Sequence, residues 1–76
     1  MPGFTARSKL QELGFTVDSE MDQSPEYLDW YADLYIGDAE GRKVVSTTLH
    51  HTDPQCLRND AVAWLWRQYE ALKDWV

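Results

Sequence analysis

The clearest pattern in the chain is the run from Leu28 to Ile36, where apolar and polar side chains alternate without a break. Leu28, Trp30, Ala32, Leu34 and Ile36 fall on one face; Asp29, Tyr31, Asp33 and Tyr35 fall on the other. A helix would scatter these residues around its circumference, so a period of two assigns a half-buried strand. Phe15 to Met21 alternates in the same way, with Phe15, Val17, Ser19 and Met21 opposed to Thr16, Asp18 and Glu20. Between these strands Asp22-Gln23-Ser24-Pro25 reads as a turn, because proline cannot donate to a ladder. Gly37-Asp38-Ala39-Glu40-Gly41-Arg42 reads as a hairpin loop with Gly41 free to take a positive φ. Lys43 to His50, rich in Val and Thr, returns as a third strand.

The same pattern suggests a register. If Gly37 faces Arg42, then Leu34 pairs with Val45, Ala32 with Thr47 and Trp30 with Leu49, all on the apolar face. The opposite face then pairs Tyr35 with Val44, Asp33 with Ser46, Tyr31 with Thr48 and Asp29 with His50. A slip of one residue would send every side chain to the wrong face.

Helices are predicted at both ends. Ala6 to Leu13 places Ala6, Leu10 and Leu13 on one side, with Thr5 as N-cap and Gly14 as the stop. Thr52 or Asp53 caps a longer helix from Pro54 to about Asp74, and Gln55 can complete a capping box with Thr52. Leu57, Ala61, Trp64, Leu65, Leu72 and Trp75 form its apolar stripe, and Trp75 with Val76 is expected to close the core edge. The predicted fold is α+β, in the order αβββα. Two helices pack on one face of a three-stranded antiparallel sheet and leave the other face to water.

Composition narrows the picture. Seventy-six residues, 43% of them hydrophobic and with four Trp, are expected to form one domain spanning 1–76. No apolar run approaches the roughly 20 residues that cross a bilayer, and Met1-Pro2-Gly3-Phe4 has no signal-peptide pattern. A single cysteine, Cys56, excludes an intramolecular disulfide and suits a reducing, cytoplasmic setting. The net charge of −6 argues against direct nucleic-acid or membrane binding, since both would repel the chain.

Charge placement adds more than net charge. From Glu12 to Glu40 there are nine carboxylates and no Lys or Arg. Projected onto the strands, Asp18, Glu20, Asp29 and Asp33 share the solvent face with Tyr31 and Tyr35. Carboxylates accept paired bonds from Arg, and tyrosine adds contact area at low entropic cost. These six residues are the candidate partner-binding set, together with Trp66, which falls nearly opposite the apolar stripe beside Val62 and Tyr69. Trp66 either packs on the N-terminal helix through Leu10 and Leu13 or anchors a partner.

Other chemistry is poorly provided for. His50, His51, Asp53 and Cys56 are the only clustered metal-type ligands, but adjacent strand residues point to opposite faces and no paired Cys or His spacing is present. No metal or cofactor is therefore expected. Asp29 and His50 offer an acid–base pair without a nucleophile and a third orienting group, so an enzyme is not expected either.

The αβββα order over nearly the whole chain resembles the double-stranded RNA-binding domain. That family holds phosphates with a basic segment at the start of its last helix. Here the segment reads Asp53-Pro54-Gln55-Cys56-Leu57-Arg58-Asn59-Asp60, so the resemblance implies the topology and carries over no RNA-contacting residue. In size and acidity the chain also looks like the small inhibitors that bacteriophages direct at host machinery, such as anti-CRISPR proteins. That resemblance implies a protein-binding inhibitor that covers a basic, nucleic-acid-binding surface. The alternative is a homodimerising scaffold or accessory module built around Trp66, Val62 and Tyr69.

Overall fold

Two helices bracket three consecutive antiparallel strands in a computed structural model that describes residues 5–26 and 29–75. The order is α1 (Ala6–Glu12), β1 (Thr16–Gln23), β2 (Trp30–Gly37), β3 (Lys43–His51) and α2 (Pro54–Leu72). The strands form one sheet in chain order, so the expected α+β fold is the one observed.

Each helix end has a local cause. Thr5 is extended, and its Oγ1 accepts the Ser8 N–H at 3.2 Å. At the other end of α1, Gly14 N–H donates to Gln11 O at 3.0 Å and Phe15 N–H to Leu10 O at 3.1 Å. This double closure needs a left-handed residue, and Gly14 supplies it at φ 101°. Asp53 caps α2 alone: its Oδ1 accepts the Gln55 N–H at 2.9 Å. The expected box with Thr52 does not form, because Asp53 and not Thr52 occupies the cap position; the Gln55 side chain donates to Asn59 Oδ1 at 3.3 Å.

Both helices cover the same face of the sheet. Ala6 and Leu10 from α1, Val17 and Ile36 from the strands, and Leu65 and Leu72 from α2 make one buried cluster. Arg7 also ties α1 to β1, with Nη2 donating to Val17 O at 2.8 Å. Leu10, Ile36 and Leu57 are fully buried at 0% exposure. Burying a Leu or Ile side chain contributes about 1.5–3 kcal/mol, so these three positions anchor a small core.

Four sequence expectations need correction. First, β1 runs on to Gln23, so Asp22 and Gln23 belong to the strand and not to the turn. Second, β2 begins at Trp30; Leu28 lies outside the described residues, and Asp29 precedes the strand. Third, α2 ends at Leu72, because the Trp75 N–H folds back to Leu72 O at 2.9 Å and tightens the turn. Trp75 is thereby carried off the apolar stripe and is 79% exposed, so it does not close the core.

The fourth correction is the hairpin register. Leu34 faces Thr47, Ala32 faces Leu49, Tyr31 faces His50 and Asp33 faces Thr48. Each of these pairings is displaced by two residues from the expected one, while Gly37 moves by only one, to Lys43. These side chains keep their predicted faces; Val44, expected on the open face opposite Tyr35, is unpaired at the bulge and packs against the core instead. One residue of the shift comes from the loop. Asp38, not Gly37, closes it, with Asp38 N–H donating to Arg42 O at 2.8 Å. The other residue comes from a bulge at Ile36/Gly37. Because the pleat repeats every two residues, an even shift leaves the two faces unchanged.

Candidate functional site

The uncovered face of the sheet is built from alternate residues of all three strands. Cross-strand pairing arranges them in three rows: Asp18–Tyr35–Ser46, Glu20–Asp33–Thr48 and Asp22–Tyr31–His50. Neighbours within a row lie about 4.5–5.5 Å apart at Cβ, and successive rows follow at about 6.6–6.8 Å along a strand. The carboxylates are concentrated on β1, where Asp18, Glu20 and Asp22 form a column. Asp33 stands beside that column on β2. All four are exposed, and no Lys or Arg occupies any position of the three rows.

The aromatic and hydroxyl side chains shape this face. Tyr31 and Tyr35 are half-buried on the central strand, so they stand between the acidic column and the neutral β3 side. The Tyr31 ring lies 6.4 Å from the His50 ring. Tyr35 donates its hydroxyl to Gly41 O at 3.3 Å, which fixes it over the hairpin loop. Thr48 donates to Asp33 Oδ1 at 2.6 Å and holds that carboxylate in one orientation. Asp18, Ser19, Glu20, Asp33 and Tyr35 enclose a shallow depression of about 270 Å³.

The electrostatics follow from this crowding. The Tyr31 hydroxyl is pushed above its ordinary value, first by desolvation and then by the charges of Asp22, Glu20 and Asp33. Three carboxylates therefore act on one phenol, so their potentials overlap at this face. The loop carboxylates are different. Arg42 binds Asp38 at 3.0 Å and Glu40 at 2.6 Å, so that part of the acidic block is already neutralised. Among the described residues, Asp18, Glu20, Asp22 and Asp33 take no ion pair.

Five of the seven candidate residues meet on this face: Asp18, Glu20, Tyr31, Asp33 and Tyr35. Asp29 sits at its end, where its carbonyl accepts the Ser24 N–H at 2.6 Å and links β1 to β2. The expected Asp29–His50 pair is replaced by Tyr31–His50. Trp66 lies on α2, away from the acidic face. It is half-buried against the core cluster, edge-on to Tyr69 at 5.8 Å. With Thr5, Ala6, Arg7, Val62 and Leu65 it lines a groove between the two helices.

Asp22 and Thr48 were missed as site residues. Asp22 continues the alternation of β1, a signal that the nearby Ser24-Pro25 turn residues masked. Thr48 could not be matched to Asp33 without the bulge.

The His50–Cys56 region serves as a helix cap. His51 Nδ1 accepts the Asp53 N–H at 2.9 Å, and the Cys56 thiol reaches Asp53 Oδ2 at 3.5 Å. That hydrogen bond, with some desolvation, pushes the thiol up and keeps it protonated. Among the described residues, no group of three or more His, Cys, Asp or Glu could hold a metal ion. No helix among them is long and apolar enough to cross a membrane. Compared with known proteins, the chain matches no protein-family model and no curated protein sequence.

Proposed function

We propose that this protein is a small acidic inhibitor whose open sheet face binds a basic surface on a partner protein. The observation that carries the reading is the column Asp18, Glu20 and Asp22 with Asp33 beside it, all exposed and all without an ion pair among the described residues. A rigid sheet holds these charges at fixed spacing, so a partner pays little ordering entropy to meet them. Arg side chains would take carboxylates in paired bonds, while Tyr31 and Tyr35 supply packing beside them. The spacing along β1 is comparable to that of adjacent phosphates in a nucleic-acid strand. A groove that normally holds phosphates is therefore the fitting partner surface, and the block is one of occupancy. An anti-CRISPR-type target, an effector that holds nucleic acid in such a groove, belongs to this class.

Opposite charge would also speed encounter and make binding salt-sensitive. The homodimerising scaffold built on Trp66 has less to support it, since that ring is engaged with Tyr69 and the core. The test is displacement of a labelled oligonucleotide from a panel of nucleic-acid-binding proteins, including RNA-guided nucleases. The wild type should compete in at least one case, and the Glu20→Lys/Asp33→Lys variant should not. Competition by neither protein, or equally by both, removes the acidic face from the account.

A further inference from the structure

The two edges of the sheet differ in how they are protected. β1 carries Asp18, Glu20 and Asp22 along its exposed face, so a second strand of like charge cannot pair there cheaply. β3 has no such guard. It is nine residues long, and from Val44 to His51 it contains no carboxylate, Lys, Arg or Pro. Nothing among the described residues lies beyond it in the sheet. Its helix-side residues Val45, Thr47 and Leu49 are only half-buried, whereas Ala32, Leu34 and Ile36 on β2 are buried. A long, neutral, unpaired edge is a template for another strand.

We infer that β3 pairs antiparallel with β3 of a second copy, on a two-fold axis at Thr47, to make a continuous six-stranded sheet. The sequence is chemically symmetric about that point. Val45 would meet the partner's Leu49 on the helix side, Ser46 would meet the partner's Thr48 on the open side, and Thr47 would meet itself. Both partners in each pair lie on the same face, as antiparallel pairing requires. The net charge of −6 does not oppose this arrangement, because the acidic columns sit on the far edges. Five strand spacings separate them, about 24 Å, which exceeds a screening length of about 8 Å. α2 packs across both β2 and β3. The two-fold axis would therefore set the α2 helices side by side about 10 Å apart, near the spacing of packed helices. A second copy fits this edge better than an isolated peptide, which would bring no helix.

Sedimentation equilibrium, with far-UV circular dichroism as the folding control, tests the inference. The wild type should dimerise. Thr47→Lys, which sets two ammonium groups against each other on the axis, should weaken association by about tenfold or more. Ser46→Lys gives an independent disruption if the first variant folds poorly. In a Cys56→Ala background, Thr47→Cys should form an intermolecular disulfide on oxidation, and Thr16→Cys on the β1 edge should not. A wild type monomeric at every concentration overturns the inference, whether or not an extended peptide then occupies the edge. A dimer that survives both lysine variants, or that cross-links equally well through residue 16, also overturns it.

Discussion

Thr48 on β3 stands directly opposite Asp33 on β2, and its hydroxyl donates to Asp33 Oδ1 at 2.6 Å. The bond spends one carboxylate oxygen on the fold and leaves the other to face outward. Thr48→Val should remove it while keeping a β-branched residue on the strand. A double-mutant cycle with Asp33→Ala, which removes the acceptor, read by urea denaturation, should give a coupling of about 0.5 kcal/mol, as befits an exposed cross-strand pair. Additive losses would show that the contact contributes nothing.

Acid should weaken the fold through its caps. Asp53 is held below its ordinary value of 3.8, first by the backbone N–H of Gln55 and then by the Cys56 thiol. Asp38 is lowered in the same direction, mainly by the backbone N–H of Arg42. A depressed carboxyl stabilises the folded state above its unfolded value, and that contribution is lost as the pH falls below about 4 through the folded value. The unfolded chain binds the proton first, so the sign is loss of stability in acid. Asp53→Asn preserves a good N-cap but cannot titrate. Its urea midpoint should match the wild type at pH 7 and fall less steeply below pH 4. An unchanged acid slope would remove Asp53 as a source.

The predicted elements, their order and the faces of the strand residues, Val44 at the bulge excepted, could be read because periodicity reports which way a side chain points. The register could not. A period of two is blind to an even shift, and the shift arose from Asp38 side-chain bonding to the Arg42 and Glu40 N–H groups, both at 2.9 Å, plus one bulge. Asp22 was lost to the turn because Ser24 and Pro25 signal a break slightly downstream of where pairing ends. Trp75 was misplaced because a 100° repeat cannot show that the helix stops at Leu72. The acidic face itself was visible, since parity alone fixes Asp18, Glu20 and Asp33 on it. Its partners across the strands were not.

Tyr31 should report the field of that face. Desolvation is the leading cause of its raised value, followed by Asp22, Glu20 and Asp33. Ring-carbon NMR should find it ionising above 10.0, the ordinary value. Added salt and Asp22→Asn should each bring it down partway, because only the charge contribution responds to them. A titration insensitive to both would mean that the carboxylates do not act together on this face.

Burial sorts the large side chains by consequence. Leu57 has 0% exposure in the first turns of α2, and Leu57→Ala should cost about 2–5 kcal/mol by leaving a cavity. Trp75, at 79% exposure, should tolerate alanine within about 0.5 kcal/mol despite its size. Urea midpoints for the two variants decide the point. A large loss at Trp75 would restore it to the core.

Gly37 is where the loop, the bulge and the first pair of the sheet converge. It is buried, and a Cβ there would lie 2.9 Å from Thr16 Oγ1, 3.1 Å from the Tyr35 ring and 3.2 Å from Arg42 O. The Thr16 side chain can rotate away, but the Arg42 carbonyl is backbone and is fixed by the loop closure. Gly37→Ala should therefore cost about 1–3 kcal/mol through overpacking. It should also perturb amide shifts in both β1 and β3, since Gly37 pairs with Thr16 on one side and Lys43 on the other. If the substitution is neutral and its shifts stay local, the close approach of β1 to the hairpin loop does not constrain this position.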